Sequence, residues 1–169
     1  RPIIFFDIEA TGLQIARDRI VELSYIKVFP DGREESKTLR FNPEMHISAE
    51  ATAVNGIKDE DVADCPTFKE KSGELTAIFQ SCDLAGFNSN VFDVPMLVEE
   101  FARAGSDFDI TKSKLVDVQT IYHKLEPRNL IAAYKFYCNK DLHNAHTAMA
   151  DTQATYEVLK AQLEKYGKE

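Results

Sequence analysis

Cysteine is scarce in this chain: Cys65, Cys82 and Cys138 stand far apart, in an odd number and without a C-x-x-C pair. That argues against a disulfide framework and a zinc cluster, and a reducing, cytoplasmic setting is expected. Positive charge is also short, with 20 Lys and Arg against 28 Asp and Glu and a net charge of −8. A chain of this sign does not coat nucleic acid by counterion release, so any polyanionic substrate must be gripped locally. No apolar run is long enough for a membrane span, and no membrane partner is expected. No repeat, low-complexity tract or Gly/Ser linker interrupts the 169 residues. That length suits a single domain over 1–169 with a sizeable core. The chain starts at "RPIIFF" with neither Met nor a charged leader region, so an excised domain without an export signal is expected.

What is present begins with "FFDIEATGL", Phe5 to Leu13, where two carboxylates lie two residues apart in an apolar run. Side chains alternate along a strand, so Asp7 and Glu9 share one face while Phe6, Ile8 and Ala10 share the other. Ile3 to Phe6 are uniformly apolar, which predicts a central strand covered on both faces. Two like charges buried there cost several kcal/mol unless a cation compensates them. A strand end that lets both acids reach water is the bland alternative, and D-x-E by itself decides little. It poses the question of a divalent metal.

The remaining pattern predicts an α/β order with a leading hairpin. Ile20 to Phe29 reads as a strand, Pro30 to Gly32 as its turn, and Ser36 to Phe41 as the antiparallel partner. Ser48 caps a short helix that Gly56 ends, Lys58 to Asp64 reads as a solvated charged loop, and a longer helix follows Pro66 to about Phe79. Leu84 to Asn88 is a short buried strand. A helix with a cap at Asn90 and a stop at Gly105 follows, then a fifth strand at Lys114 to Val118. Helices over Leu130 to Tyr137 and about Thr147 to Tyr166 close the chain. The expected sheet is mixed, with helices packed against it.

Two further acids stand out. Asp93 falls in the first turn of its helix just after a buried strand, a place where a carboxylate either favours the helix dipole or serves a site. Asp151 extends a mostly apolar stripe of Ala154, Thr155, Val158, Leu159, Gln162, Leu163 and Tyr166, which turns it toward the core. Upstream lie His143 and His146. On a continuous helix His146 would point about 140° from Asp151, so to serve one site it must sit in the preceding loop or first turn; geometry alone leaves His143 in contention.

"FDIEATGL", "GFNSNVFDVPML" and "HNAHTAMADTQAT", in that order, resemble the motifs of the DEDDh family of 3′-to-5′ exonucleases, and in particular its epsilon-type proofreading branch. The likeness covers essentially the whole chain, including "ISAEATAVNGIKDEDVADCPTF". It implies an α/β ribonuclease H-like fold: a mixed five-stranded sheet with an N-terminal antiparallel hairpin and helices packed on it. It implies metal ligands at Asp7, Glu9, Asp93 and Asp151, and His146 as general base, because the family's last motif places His five residues before Asp. It implies that Ala10, Thr11, Gly12 and Leu13 lie against the terminal nucleotide, with Asn88 and Phe92 lining the same pocket. Asn55 departs from the His that relatives often carry before the Gly. Asp117 is read as a structural or supporting acid.

Four carboxylates match the charge of two divalent ions, and hard oxygen ligands suit Mg²⁺ or Mn²⁺. The activity so implied is hydrolysis from the 3′ end of single-stranded DNA to nucleoside 5′-monophosphates, with DNA favoured over RNA and a DNA polymerase subunit as a possible partner. An exoribonuclease of the oligoribonuclease or RNase T type is the alternative, since the chemistry is shared and only treatment of the 2′-OH separates them. An inactive nucleic-acid-binding module is a further one.

Overall fold

The computed structural model describes residues 1–167, and the end of the expected domain, 168–169, lies outside the described residues. Two compact units divide the chain, Arg1–Gln119 and the segment from Thr120 onward. Among the described residues no helix is long and apolar enough to cross a membrane.

The first unit holds the sheet. Strands β1 (Ile3–Ala10), β2 (Ile20–Val28), β3 (Glu34–Arg40), β4 (Asp83–Gly86) and β5 (Leu115–Asp117) line up in the order β3-β2-β1-β4-β5. β1 to β3 run antiparallel, and β4 and β5 join in parallel. This is the mixed five-stranded sheet with a leading hairpin that the sequence predicts. Parallel pairing of β1 with β4 requires a crossover, which α1 (Ala49–Asn55), α2 (Asp59–Val62) and α3 (Phe68–Phe79) provide; α4 (Asp93–Ala104) makes the next one.

Period-two alternation decides what β1 buries. Ile4, Phe6, Ile8 and Ala10 are buried with Leu75 and Phe79 of α3 and Met96, Leu97 and Phe101 of α4. Edge-to-face aromatic contacts tie these layers, Phe6 to Phe79 at 5.8 Å and Phe68 to Phe101 at 5.3 Å between ring centres. The other face of β1 differs from the expectation. Phe5 is 42% exposed, Asp7 is exposed and Glu9 half-buried. An apolar run fixes that a strand is central but not that both faces are covered, and the two acids sit on the wetter face. Partial burial still pushes both carboxyls up, and for Glu9 repulsion from Asp7 and Glu22 adds to it.

Helix ends follow local chemistry where the sequence shows it. Ser48 Oγ accepts Ala51 N–H at 3.1 Å, and Gly56 closes α1 at φ 74°. Thr67 and Glu70 form a reciprocal capping box at the start of α3. Three segments depart from expectation. The charged run Lys58 to Asp64 contains α2, because Lys58 N–H donates to Asp61 at 2.9 Å and Val62 is buried with Val21, Ile47 and Ile57. Asn90 does not cap α4; its N–H turns to Asp117 and Phe92 occupies the cap position. An unforeseen helix, α5 (Val118–Leu125), follows β5 directly.

In the second unit α6 (Leu130–Cys138) and α7 (Ala148–Tyr166) pack as a helical pair around Tyr134, Ala154 and Val158. Tyr134 and Lys140 both donate to Glu157, at 2.9 and 2.6 Å, and with Gln153 they hold its carboxyl down at about 2. The buried stripe of α7 is narrower than its sequence suggests: Thr155, Leu159 and Leu163 are exposed, because one partner helix covers only part of a face.

Candidate active site

Three of the expected acids lie within electrostatic reach of one another in the first unit. Asp7 and Glu9 lie on one face of β1, opposite Ser24 and Glu22 of β2, and Arg40 neutralises Glu22 at 2.7 Å. Asp93 opens α4, 7% exposed, and its Oδ1 accepts Ile8 N–H at 3.2 Å across 85 residues of sequence. That bond fastens the start of α4 to the strand between the two acids. Burial raises the Asp93 carboxyl to about 6, helped by repulsion from Asp7 and Glu9 and opposed by the Ile8 and Asp93 N–H groups. Burial also raises Asp7 and Glu9, and in Glu9 a hydrogen bond from Asn55 works against it.

The segment after these acids is shaped from behind. Thr11 N–H donates to Arg19 O at 2.9 Å, closing a loop from Thr11 to Arg19. The buried Asp18 carboxylate accepts Gln14 N–H at 2.8 Å and the Thr11 hydroxyl at 3.3 Å. Glu100 is 1% exposed and takes Arg19 at 2.7 and 3.2 Å together with Ile20 N–H, while Arg103 donates to the Ile15 and Asp18 carbonyls at 2.7 Å. A Cβ on Gly12 would stand 2.5 Å from Asp18 Oδ2. Gly12→Ala is therefore expected to destabilise by about 1–3 kcal/mol through overpacking, read as a lower denaturation midpoint with an unchanged m-value.

Around this loop lies a cleft of about 380 Å³, within the range of small-ligand pockets. Glu9, Ala10, Gly12, Leu13 and Phe92 line it, with Leu13 83% exposed; Thr11 is instead buried against Asp18, and Asn88 is not on its wall. Asn88 takes a left-handed φ of 59° and donates its N–H to Asp117 at 2.9 Å. Asp117 also accepts Asn90 and Gln119 N–H groups, so this acid ties down the loop that leads into α4.

The second unit carries the other two. His146 stands in the turn before α7, exposed, at φ 73°, and its N–H donates to Asp151 Oδ1 at 3.3 Å. Asp151 is half-buried in the first turn of α7, and His143 is exposed.

The sequence pattern of the Exonuclease (RNase T) family matches residues 4–159. The chain belongs to this exonuclease family. Among its relatives, the PolC-type DNA polymerase III of Caldanaerobacter subterraneus subsp. tengcongensis is 28% identical over 163 residues, which cover 96% of this chain and 12% of the polymerase. The exonuclease domain thus spans a small part of that relative's length. Two E. coli exonuclease I structures share its fold. The zinc-ion-bound complex with single-stranded DNA has a TM-score of 0.66 and 19% identity over 98% of this chain and 41% of that one. The complex with a dT13 oligonucleotide has a TM-score of 0.65 and 18% identity over 96% and 41%. The expected α/β, ribonuclease H-like fold is the fold found.

Exonucleases of this family generally use divalent metals, and the donor set here fits them in kind: hard carboxylate oxygens at a concentration of negative charge. Among the described residues no three His, Cys, Asp or Glu side chains converge on a common point.

Motif reading of the exonuclease domain passes over Asp18, Glu100, Arg19 and Arg103, which hold its loop. One signal was available. Asp93, Met96, Leu97, Glu100 and Phe101 share a helical stripe of buried residues, so Glu100 is an acid on a core-facing position.

Proposed function

We propose that this chain is a metal-dependent 3′-to-5′ exonuclease of the DEDDh type, acting on the 3′ end of single-stranded DNA in the cytoplasm as a proofreading or repair activity alongside a DNA polymerase. The observation that carries the reading is that three neighbouring carboxylates, Asp7, Glu9 and Asp93, are all pushed up, chiefly by burial and for Glu9 and Asp93 also by repulsion, with Asp93 at about 6. A perturbation of this kind at the rim of a cleft is the mark of a functional site. Residues 1–169 would work as one domain, and its three cysteines, all free, suit a reducing compartment.

In this reading Asp7, Glu9, Asp93 and Asp151 hold two Mg²⁺ or Mn²⁺ ions. Such ions, when bound, supply Lewis-acid stabilisation of the charge that develops in phosphodiester hydrolysis. His146 takes the proton from the attacking water as the general base. Its exposed place in a turn leaves the ring accessible. Ala10, Gly12, Leu13 and Phe92, which line the cleft, receive the terminal nucleotide, with exposed Leu13 as the apolar wedge against its base. A cleft of this size admits one unstacked nucleotide, which favours single-stranded ends over duplex. Similarity to DNA polymerases and to exonuclease I bound to single-stranded DNA supports DNA as substrate.

The test is cleavage of matched single-stranded DNA and RNA oligonucleotides labelled at the 5′ end, with Mg²⁺, Mn²⁺ or EDTA. Stepwise shortening of DNA from the 3′ end, abolished by EDTA and slowed about 10²- to 10⁴-fold by His146→Ala, is expected. Faster loss of RNA would reassign the substrate while leaving the chemistry standing. Metal-independent cleavage, or full activity in His146→Ala, would refute the mechanism.

A further inference from the structure

The cleft beside Glu9 has one cation on its wall, and that cation is anchored from behind. Among the described residues lining it, Arg17 is the single Lys, Arg or His, alongside the acids Glu9, Asp18 and Glu50. Its Nε donates to Asp18 Oδ1 at 3.3 Å, while Nη1 and Nη2 donate to no other described residue and the side chain is 65% exposed. Asp18 is 2% exposed and cannot swing away, because its carboxylate also accepts the Thr11 hydroxyl and Gln14 N–H. The arrangement grips one edge of the guanidinium and leaves the other free, which is the geometry for a fork that receives a phosphate. In a chain of net charge −8 a polyanion needs a local positive contact. A surface ion pair of no consequence is the alternative, and exposed pairs are often that. Against it stand the buried anchor and the position on the cleft wall, in the loop that begins where β1 ends.

We propose that Arg17 binds a backbone phosphate of the single strand held in this cleft, with Asp18 as its positioning residue. The proposal rests on the nuclease reading of the cleft. Cleavage kinetics of a 5′-labelled single-stranded DNA oligonucleotide, measured in Mg²⁺ across a KCl series, test both. For Arg17→Ala we expect KM to rise about tenfold at low salt, as for loss of a charge-assisted hydrogen bond. We also expect the slope of log KM against log [KCl] to fall by about 0.7, the amount for one phosphate contact on a single strand. Arg17→Lys keeps the wild-type slope but recovers only part of the affinity, since the charge remains and the fork is lost. A merely structural arginine would lower the melting temperature and leave the slope alone. A wild-type slope in Arg17→Ala, whatever its KM, overturns the assignment and spares the nuclease reading. Failure of the wild-type chain to shorten any 3′ end overturns both.

Discussion

Asp7→Ala is expected to slow hydrolysis of single-stranded DNA by at least about 10³-fold while the protein keeps its melting temperature. Loss of an outer partner of a metal ligand already costs about 10- to 100-fold, and Asp7 is assigned as a ligand itself. Stability should hold because Asp7 lies on the exposed face of β1, away from Ile4, Phe6 and Ile8, and surface substitutions cost within about 0.5 kcal/mol. One further effect follows from charge. Repulsion by Asp7 helps to raise the Asp93 carboxyl, so in Asp7→Ala its titration should move below about 6. Carboxyl ¹³C NMR of the metal-free protein reads that shift, and thermal unfolding with a cleavage assay reads the rest. Wild-type rates in a folded Asp7→Ala protein would sink the metal assignment.

Asp93→Asn should abolish cleavage to a similar extent and yet stabilise the metal-free protein. The asparagine Oδ1 can still accept the Ile8 N–H, while the charge is gone. The folded carboxyl, at about 6, stands above its unfolded value of 3.8, so the native state holds the proton more tightly. The contribution of Asp93 to wild-type stability is therefore fullest below pH 4, is lost as pH rises through about 6, and leaves the whole penalty above that. Asp93→Asn removes the penalty. Its advantage should be absent near pH 4 and on the order of 1 kcal/mol at pH 8, allowing for solvent screening around a group that is only partly enclosed. Mg²⁺ or Mn²⁺ should reverse the ranking, because an ion that binds only the folded wild type raises its melting temperature and the variant lacks a ligand. Urea denaturation at both pH values, with EDTA and then with Mn²⁺, tests this. An Asn variant less stable than wild type at pH 8 in EDTA would show that the carboxylate charge is compensated without metal.

Much of the fold is legible in local chemistry because local chemistry decides it. Ser48 and Gly56 bound α1 through a hydroxyl cap and a left-handed glycine, and both signals are visible in three or four letters. The Pro-Asp-Gly turn fixes the β2–β3 hairpin. Segments were misread where a local signal was outbid by something distant. Asn90 looks like a cap, but its backbone is claimed by Asp117, 27 residues away. Lys58 to Asp64 looks solvated, but Val62 is drawn into a small core with Val21 and Ile47.

The sequence by itself determined that Asp7 and Glu9 share a face, since a period of two allows nothing else. It also determined the family, through three motifs in order. Only the tertiary structure decided which face of β1 is covered, that Asp93 bonds to the strand between the two acids, and that Asp18 and Glu100 are buried under the loop they hold. Alternation gives parity but no side, and a hydrogen bond spanning 85 residues leaves no trace in the local pattern of either end.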